Sequence, residues 1–167
     1  MYTLGPGQLN DQVRLVSFGE KTLATNPNSL PALLLLANYY AEANSSAKAI
    51  TYAQKAIEVA KADAPDADKS RKLSAGAAHN TIGWAYLKQD KSTSAIPELK
   101  TAAGWLKGQD DQQYARALYG LGFAYGKLNR LTEAREVLTE AVKIPGPFQS
   151  LSQDLLTKVN SARAKGK

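Results

Sequence analysis

Three times in this chain a tyrosine is followed nine residues later by an alanine, and seven residues after that by another: Tyr40/Ala49/Ala56, Tyr86/Ala95/Ala102 and Tyr125/Ala134/Ala141. Small residues held at fixed offsets from an aromatic ring, within otherwise different surroundings, are the mark of a helical hairpin used repeatedly. A single hairpin buries too little apolar surface to stand alone, so such units stack and share one continuous core. The spacing therefore predicts a quasi-one-dimensional pile of helix pairs.

Aligning the triplets extends the pattern. The third unit reads Leu118-x2-Leu121-Gly122-x2-Tyr125, then Ala134-x3-Leu138-x2-Ala141, closed by Pro145-Gly146. The second reads His79-x2-Ile82-Gly83-x2-Tyr86, then Ala95-x3-Leu99-x2-Ala102, and the first Leu33-x2-Leu36-Ala37-x2-Tyr40, then Ala49-x3-Ala53-x2-Ala56. This resembles the tetratricopeptide repeat, whose pattern is W-x2-L-G-x2-Y, A-x3-F and a closing proline. The resemblance implies an all-α, right-handed α-solenoid. Small residues at Ala37, Gly83 and Gly122 let the two helices of a hairpin approach, and the tyrosines and aliphatic side chains fill the space between hairpins.

The units are unequal. Tyr40 to Tyr86 is 46 residues and Tyr86 to Tyr125 is 39, against about 34 for the family standard. The surplus falls between Ala56 and His79 and between Ala102 and Leu118, so the flanking helices should be lengthened there. One domain over 1–167 is expected, with a half repeat at 8–29, repeats at 30–66, 67–110 and 111–147, and a capping helix at 148–164. Eight helices follow, near 8–25, 30–43, 46–62, 67–89, 92–107, 111–127, 131–143 and 148–164. Pro97 stands inside the fifth, which should start late or kink. Upstream of the half repeat lies Gly5-Pro6-Gly7, a helix breaker, so the chain reads as a fragment of a longer protein. After Pro145-Gly146-Pro147, the residues Phe148, Leu151, Leu155, Leu156 and Val159 should form the packing face of the cap.

Composition narrows the chemistry. No cysteine is present, which excludes disulfides, thiol catalysis and thiolate metal ligation. The longest apolar run, Leu30 to Ala37, falls far short of the roughly 18 residues a membrane span needs. The first seven residues have neither the basic start nor the apolar core of a secretory signal; the compartment stays open, cytoplasmic or periplasmic, and the Ala- and Lys-rich style suggests a bacterial origin. The net charge is +6, its cations scattered except for a tail with Lys158, Arg163, Lys165 and Lys167. His79 is the single histidine and should pack against its own hairpin partner. Gly120 to Leu128 mimics a phosphate loop but has five residues between Gly120 and Gly126, and Leu128 where Ser or Thr would hold magnesium. Asp110-Asp111 and Asp66/Asp68 precede helices and suit caps. Neither catalytic residues, nor a metal site, nor a cofactor is expected.

By the resemblance, a concave wall is built from first-helix residues that the core does not claim. Carried onto this chain, the partner-binding candidates are Leu34, Asn38, Asn80, Trp84, Lys88, Arg116, Tyr119, Phe123 and Lys127. The rings of Trp84, Tyr119 and Phe123 exceed what hairpin packing needs, and aromatic anchors are typical of binding hot spots. Truncating Trp84 or Phe123 should then cost stability roughly 1 kcal/mol or less. Some members of the family grip a chaperone's terminal carboxylate through a clamp; here Asn38 and Arg116 hold clamp-like places while Leu34, Thr81 and Gly120 take the others, so that mode is not expected. The expected function is a protein–protein interaction scaffold receiving an apolar peptide, with Asn38 and Asn80 meeting its backbone. Two alternatives remain: self-association through the open N-terminal half repeat, and a basic nucleic-acid-binding solenoid. Nucleic acid is disfavoured, since the wall has few cations among its rings.

Overall fold

The computed structural model describes residues 6–165, with side chains from 11 to 162. Gly5 lies outside it, as do the side chains of the tail cations Arg163 and Lys165 and all of Lys167. Eight helices follow in order: α1 (Pro6–Thr25), α2 (Leu30–Glu42), α3 (Ser46–Ala60), α4 (Lys69–Lys88), α5 (Ser92–Leu106), α6 (Asp111–Lys127), α7 (Leu131–Ala141) and α8 (Pro147–Lys165). No strand occurs among the described residues. Helices α2/α3, α4/α5 and α6/α7 form consecutive hairpins, and α2, α4 and α6 also pack side by side. The result is an all-α solenoid, with α1 before the first hairpin and α8 after the last.

The alanines explain the closeness of the stack. Ala49, Ala56, Ala95, Ala102, Ala134 and Ala141 all have no exposed surface, because each second helix presses its small face onto the first. Glycine sharpens the fit. A Cβ on Gly83 would stand 2.5 Å from Leu99 Cγ, and one on Gly122 equally close to Leu138 Cγ, so each leucine occupies a notch that only glycine leaves. A second notch on α4, at Gly76, receives Leu106. Gly76 and Gly83 are seven residues apart, as are Leu99 and Leu106, which pins α4 and α5 in antiparallel register at two points. Tyr86 packs against both the cluster of the first hairpin and that of the second, while Tyr125 is 3% exposed.

The three hairpin turns share one device that the alignment did not disclose. Asn44, Asp90 and Asn129, each four residues after the repeat tyrosine, have φ of 58°, 58° and 57°. That left-handed conformation is one Asn and Asp tolerate better than other residues with a Cβ. The next residue's N–H then closes on the tyrosine carbonyl: Ser45 to Tyr40 at 2.8 Å, Lys91 to Tyr86 and Arg130 to Tyr125 at 2.9 Å. This six-residue closure supplies a donor to a carbonyl in the last turn of the helix, where intrahelical partners run out.

Four expectations need correction. First, α5 does not start late: it begins at Ser92 and continues through Pro97; the proline sits early in the helix on the exposed side, so its missing N–H frees the Thr93 carbonyl to solvent. Second, α1 begins at Pro6, where proline suits a first helical turn, so the expected breaker opens the helix. Third, α3 stops at Ala60, because Lys61 turns left-handed at φ 46°. The connecting segment is tied down by Arg71, whose Nε donates to the Ala60 carbonyl at 2.8 Å. Fourth, on α8 Ser152 is fully buried while Leu151 is 44% exposed. Ser152 lies four residues after Phe148 and three before Leu155, in the middle of the packing stripe, and Leu151 lies at its edge. Of the cap candidates, Asp68 accepts from Arg71 N at 2.8 Å and Asp110 from Gln113 N at 3.0 Å.

Candidate functional site

The inner helices α4 and α6 bring the oversized rings together. Trp84 on α4 stacks on Tyr119 of α6, centroids 6.0 Å apart and planes at 23°. Phe148, the second residue of α8, leans on both, 6.4 Å from Trp84 and 5.7 Å from Tyr119. Its reach follows from Pro145-Gly146-Pro147: Gly146 takes φ 143°, a conformation open to glycine alone, and turns α8 back along α6. Beside this cluster lies an open cavity of about 210 Å3 lined by Trp84, Leu87, Lys88, Tyr119 and Phe123. Trp84, Tyr119 and Phe123 are each half-buried, the inner side of each ring joining the core that contains Leu99 and Leu121.

The polar candidates divide sharply. Asn80 is fully buried, its Nδ2 donating to the Gln113 carbonyl at 3.1 Å and to Gln113 Oε1 at 2.9 Å. It is therefore a link between α4 and α6 and does not face a peptide. Asn38 accepts from Thr81 Oγ1 at 2.7 Å, an equivalent link between α2 and α4. Leu34 packs against the core of the first hairpin. Lys88 donates to the Ala41 carbonyl and, at 3.1 Å, to Asn44 Oδ1. Lys127 pairs with Asp90 at 3.0 Å. Both lysines thus reach back to the turn of the preceding hairpin, where a cation also complements the carbonyl end of a helix. They are staples of the stack. Both still border the wall, Lys88 lining the cavity and Lys127 standing 6.0 Å from the Phe123 centroid, but the sequence did not disclose their partners in the repeated turns.

Arg116 is different. Its guanidinium lies over the Trp84 ring, 5.5 Å from the centroid, and no carboxylate among the described residues pairs with it. Burial pulls its pKa below the usual guanidinium range, opposed by the more distant charge of Glu42. Buried atoms without partners also collect here: Trp84 Nε1 and, one turn earlier on α4, Asn80 Oδ1.

Elsewhere, His79 Nδ1 lies 2.7 Å from Glu98 Oε2 on α5, its own hairpin partner as expected. A larger open cavity of about 550 Å3 adjoins it, walled by Ile57, Ala62, Ala75, Gly104 and Trp105. No helix of the described residues is long and apolar enough to cross a membrane.

Comparison with known proteins follows this geometry. Residues 30–63 and 115–146 match the family described as tetratricopeptide repeat, the segments holding the first and third hairpins. Over 144 residues the chain is 25% identical to the general transcriptional corepressor ssn6 of Schizosaccharomyces pombe; the match takes in 86% of this chain and 12% of that protein's length. The crystal structure of MamA superposes with a TM-score of 0.65 at 18% identity, over 99% of this chain and 98% of that one. The repeated residues, the stacked hairpins they build and these matches agree: the chain carries tetratricopeptide repeat matches at its first and third hairpins and has the fold of a helical solenoid.

Proposed function

We propose that this protein is a non-catalytic interaction scaffold that receives a segment of a protein partner on its inner wall, between α4 and α6. The tetratricopeptide repeat matches support the coarse role, a scaffold for protein partners. The finer reading rests on one observation: Trp84, Tyr119 and Phe123 line an open apolar cavity, and each keeps part of its ring accessible. A chain that needed these rings only for packing would gain by covering them. Rigid aromatic walls beside an unfilled hollow are how peptide-binding grooves anchor apolar side chains.

The test is capture of partners by the immobilised chain, wild type against Trp84→Ala/Phe123→Ala, with bound proteins identified by mass spectrometry. Selective loss of a captured protein in the variant supports the reading; an unchanged set refutes it. Phe123→Ala should cost stability about 1 kcal/mol. Trp84→Ala should cost about 2 kcal/mol, more than the sequence suggests, since three aromatic and cationic neighbours rest on the indole. Urea melts of each variant separate loss of binding from loss of fold.

A second reading has its own support. Helix α1 leaves Val13, Leu15 and Phe18 exposed at 61%, 45% and 66%, and Leu15 and Phe18, three residues apart, share a side suited to self-association. Light scattering across concentration distinguishes it from a monomeric receptor.

A further inference from the structure

The inner wall carries three cations near its rings, and two of them are already engaged. Lys88 is held by the Ala41 carbonyl and Asn44, and Lys127 by Asp90. Arg116 alone has no carboxylate partner among the described residues, although it is half-buried and stands over the Trp84 ring, 5.5 Å from its centroid. A guanidinium shielded from water without a hydrogen-bonded counter-charge is unfavourable, and the aromatic face beneath it and the charge of Glu42, which forms no ion pair with it, compensate only in part. The same indole also forms one wall of the 210 Å3 cavity shared with Leu87, Tyr119 and Phe123. One ring therefore joins an unpaired cation to an unfilled apolar hollow.

We propose that Arg116 and this cavity form a two-point site for an acidic–apolar segment of a partner protein. The side-chain carboxylate of an Asp or Glu pairs with the Arg116 guanidinium, and a bulky apolar side chain one to three residues away fills the hollow. This rests on the inner-wall reading above and specifies its ligand. Charge complementarity selects an acid, because a planar guanidinium takes a carboxylate through two parallel hydrogen bonds, strongest where water is excluded. The close spacing follows from sharing Trp84, since an extended chain advances about 3.3 Å per residue. A side-chain acid is selected over a chain terminus. A terminus needs further donors around it, and the neighbouring inner positions are Leu34, Thr81, already bonded to Asn38, and Gly120.

The experiment is affinity selection by the intact chain from a synthetic random decapeptide library, made with free and with amidated C termini, and read by mass spectrometry. Selected peptides are then resynthesised with Asp or Glu replaced by Asn or Gln, and their affinities measured by fluorescence anisotropy. The bound pool should be enriched in Asp or Glu within three residues of Leu, Ile, Phe or Trp, equally with either terminus. Removing the peptide acid and making Arg116→Gln should each weaken binding tenfold or more, with little further loss when combined. Arg116→Lys should retain part of the affinity, which guards against a fold defect in the glutamine variant. Enrichment of apolar residues alone, bound equally by Arg116→Gln yet lost in Trp84→Ala/Phe123→Ala, overturns the acidic anchor and leaves the inner-wall reading intact. Loss of binding on amidation overturns it in favour of a terminal carboxylate. A pool indifferent to Trp84 and Phe123, or no enrichment at all, removes both.

Discussion

The two ends of the stack solve the same problem differently. At the C-terminal end, α8 packs against both α6 and α7, buries Val159 to 4% and places Phe148 among the inner rings. At the N-terminal end, α1 makes close backbone contact with α2 alone among the described residues. There Gly19 fits against Leu36, Leu23 touches the first core cluster, and Phe18 is left 66% exposed. Here the closed end is the one whose terminal helix meets both members of a hairpin, and the open end the one whose helix meets a single member. Apolar content does not distinguish them, since both terminal helices carry it.

That contrast predicts a graded response. The largest effect should come from Val159→Asp, which puts a charge beneath the closed end and should cost about 3 kcal/mol or more in urea unfolding. A cost under about 1 kcal/mol would mean that α8 is peripheral and that the ends are alike. Next, Gly122→Ala must displace Leu138 from 2.5 Å and should destabilise by about 2 kcal/mol. Gly19→Ala, against Leu36 Cγ at the longer distance of 2.9 Å, should cost about half as much; equal costs would erase the difference in packing.

A smaller effect is set by pH near the closed end. Tyr114 donates to Glu140 at 2.7 Å and Lys107 pairs with the same oxygen at 3.0 Å. The tyrosine hydrogen bond first, and then the lysine, hold the Glu140 carboxyl below its ordinary value of 4.5. A depressed carboxylate stabilises the fold above its unfolded pKa, and that contribution is lost as pH falls through the folded one. Acid titration should therefore show the wild type losing stability below pH 4.5 more steeply than Tyr114→Phe. The smallest change in stability, within about 0.5 kcal/mol, is expected for Phe18→Ser. If the open end recruits a second copy, the same substitution should abolish concentration-dependent mass in light scattering.

Much of the architecture was legible because it is written in spacing. Alanines nine and sixteen residues after each tyrosine have no alternative to burial in a close hairpin, and they are buried. The helix start at Asp111 followed from the acidic cap before it, and the one at Ser92 from the repeat spacing. The inner wall was legible only in its rings. Trp84, Tyr119 and Phe123 are too large for the hairpin seam and do gather on one face. The polar residues around them misled, because a sequence does not show which neighbour a side chain meets across two helices. Asn80 is claimed by Gln113, Asn38 by Thr81, Lys88 by the turn at Asn44. A signal for the last existed: Asn or Asp recurs four residues after every repeat tyrosine, with a lysine two residues after Tyr86 and Tyr125. Phe148 was assigned to the cap alone, since its arrival beside Trp84 depends on the direction of α8 after Gly146.

The paired notches on α4 have a mechanical consequence. With Leu99 and Leu106 seated seven residues apart in glycine gaps, sliding one helix along the other by a single turn would drive both leucines into side-chain-bearing positions at once. The central hairpin therefore behaves as a stiff bar. Bending of the whole solenoid is then left to the joints on either side of it, which are held by side-chain links such as Thr81–Asn38 and Lys88–Asn44 on one side and Asn80–Gln113 and Lys127–Asp90 on the other. The width of the inner hollow is then governed by how α6 pivots against that bar.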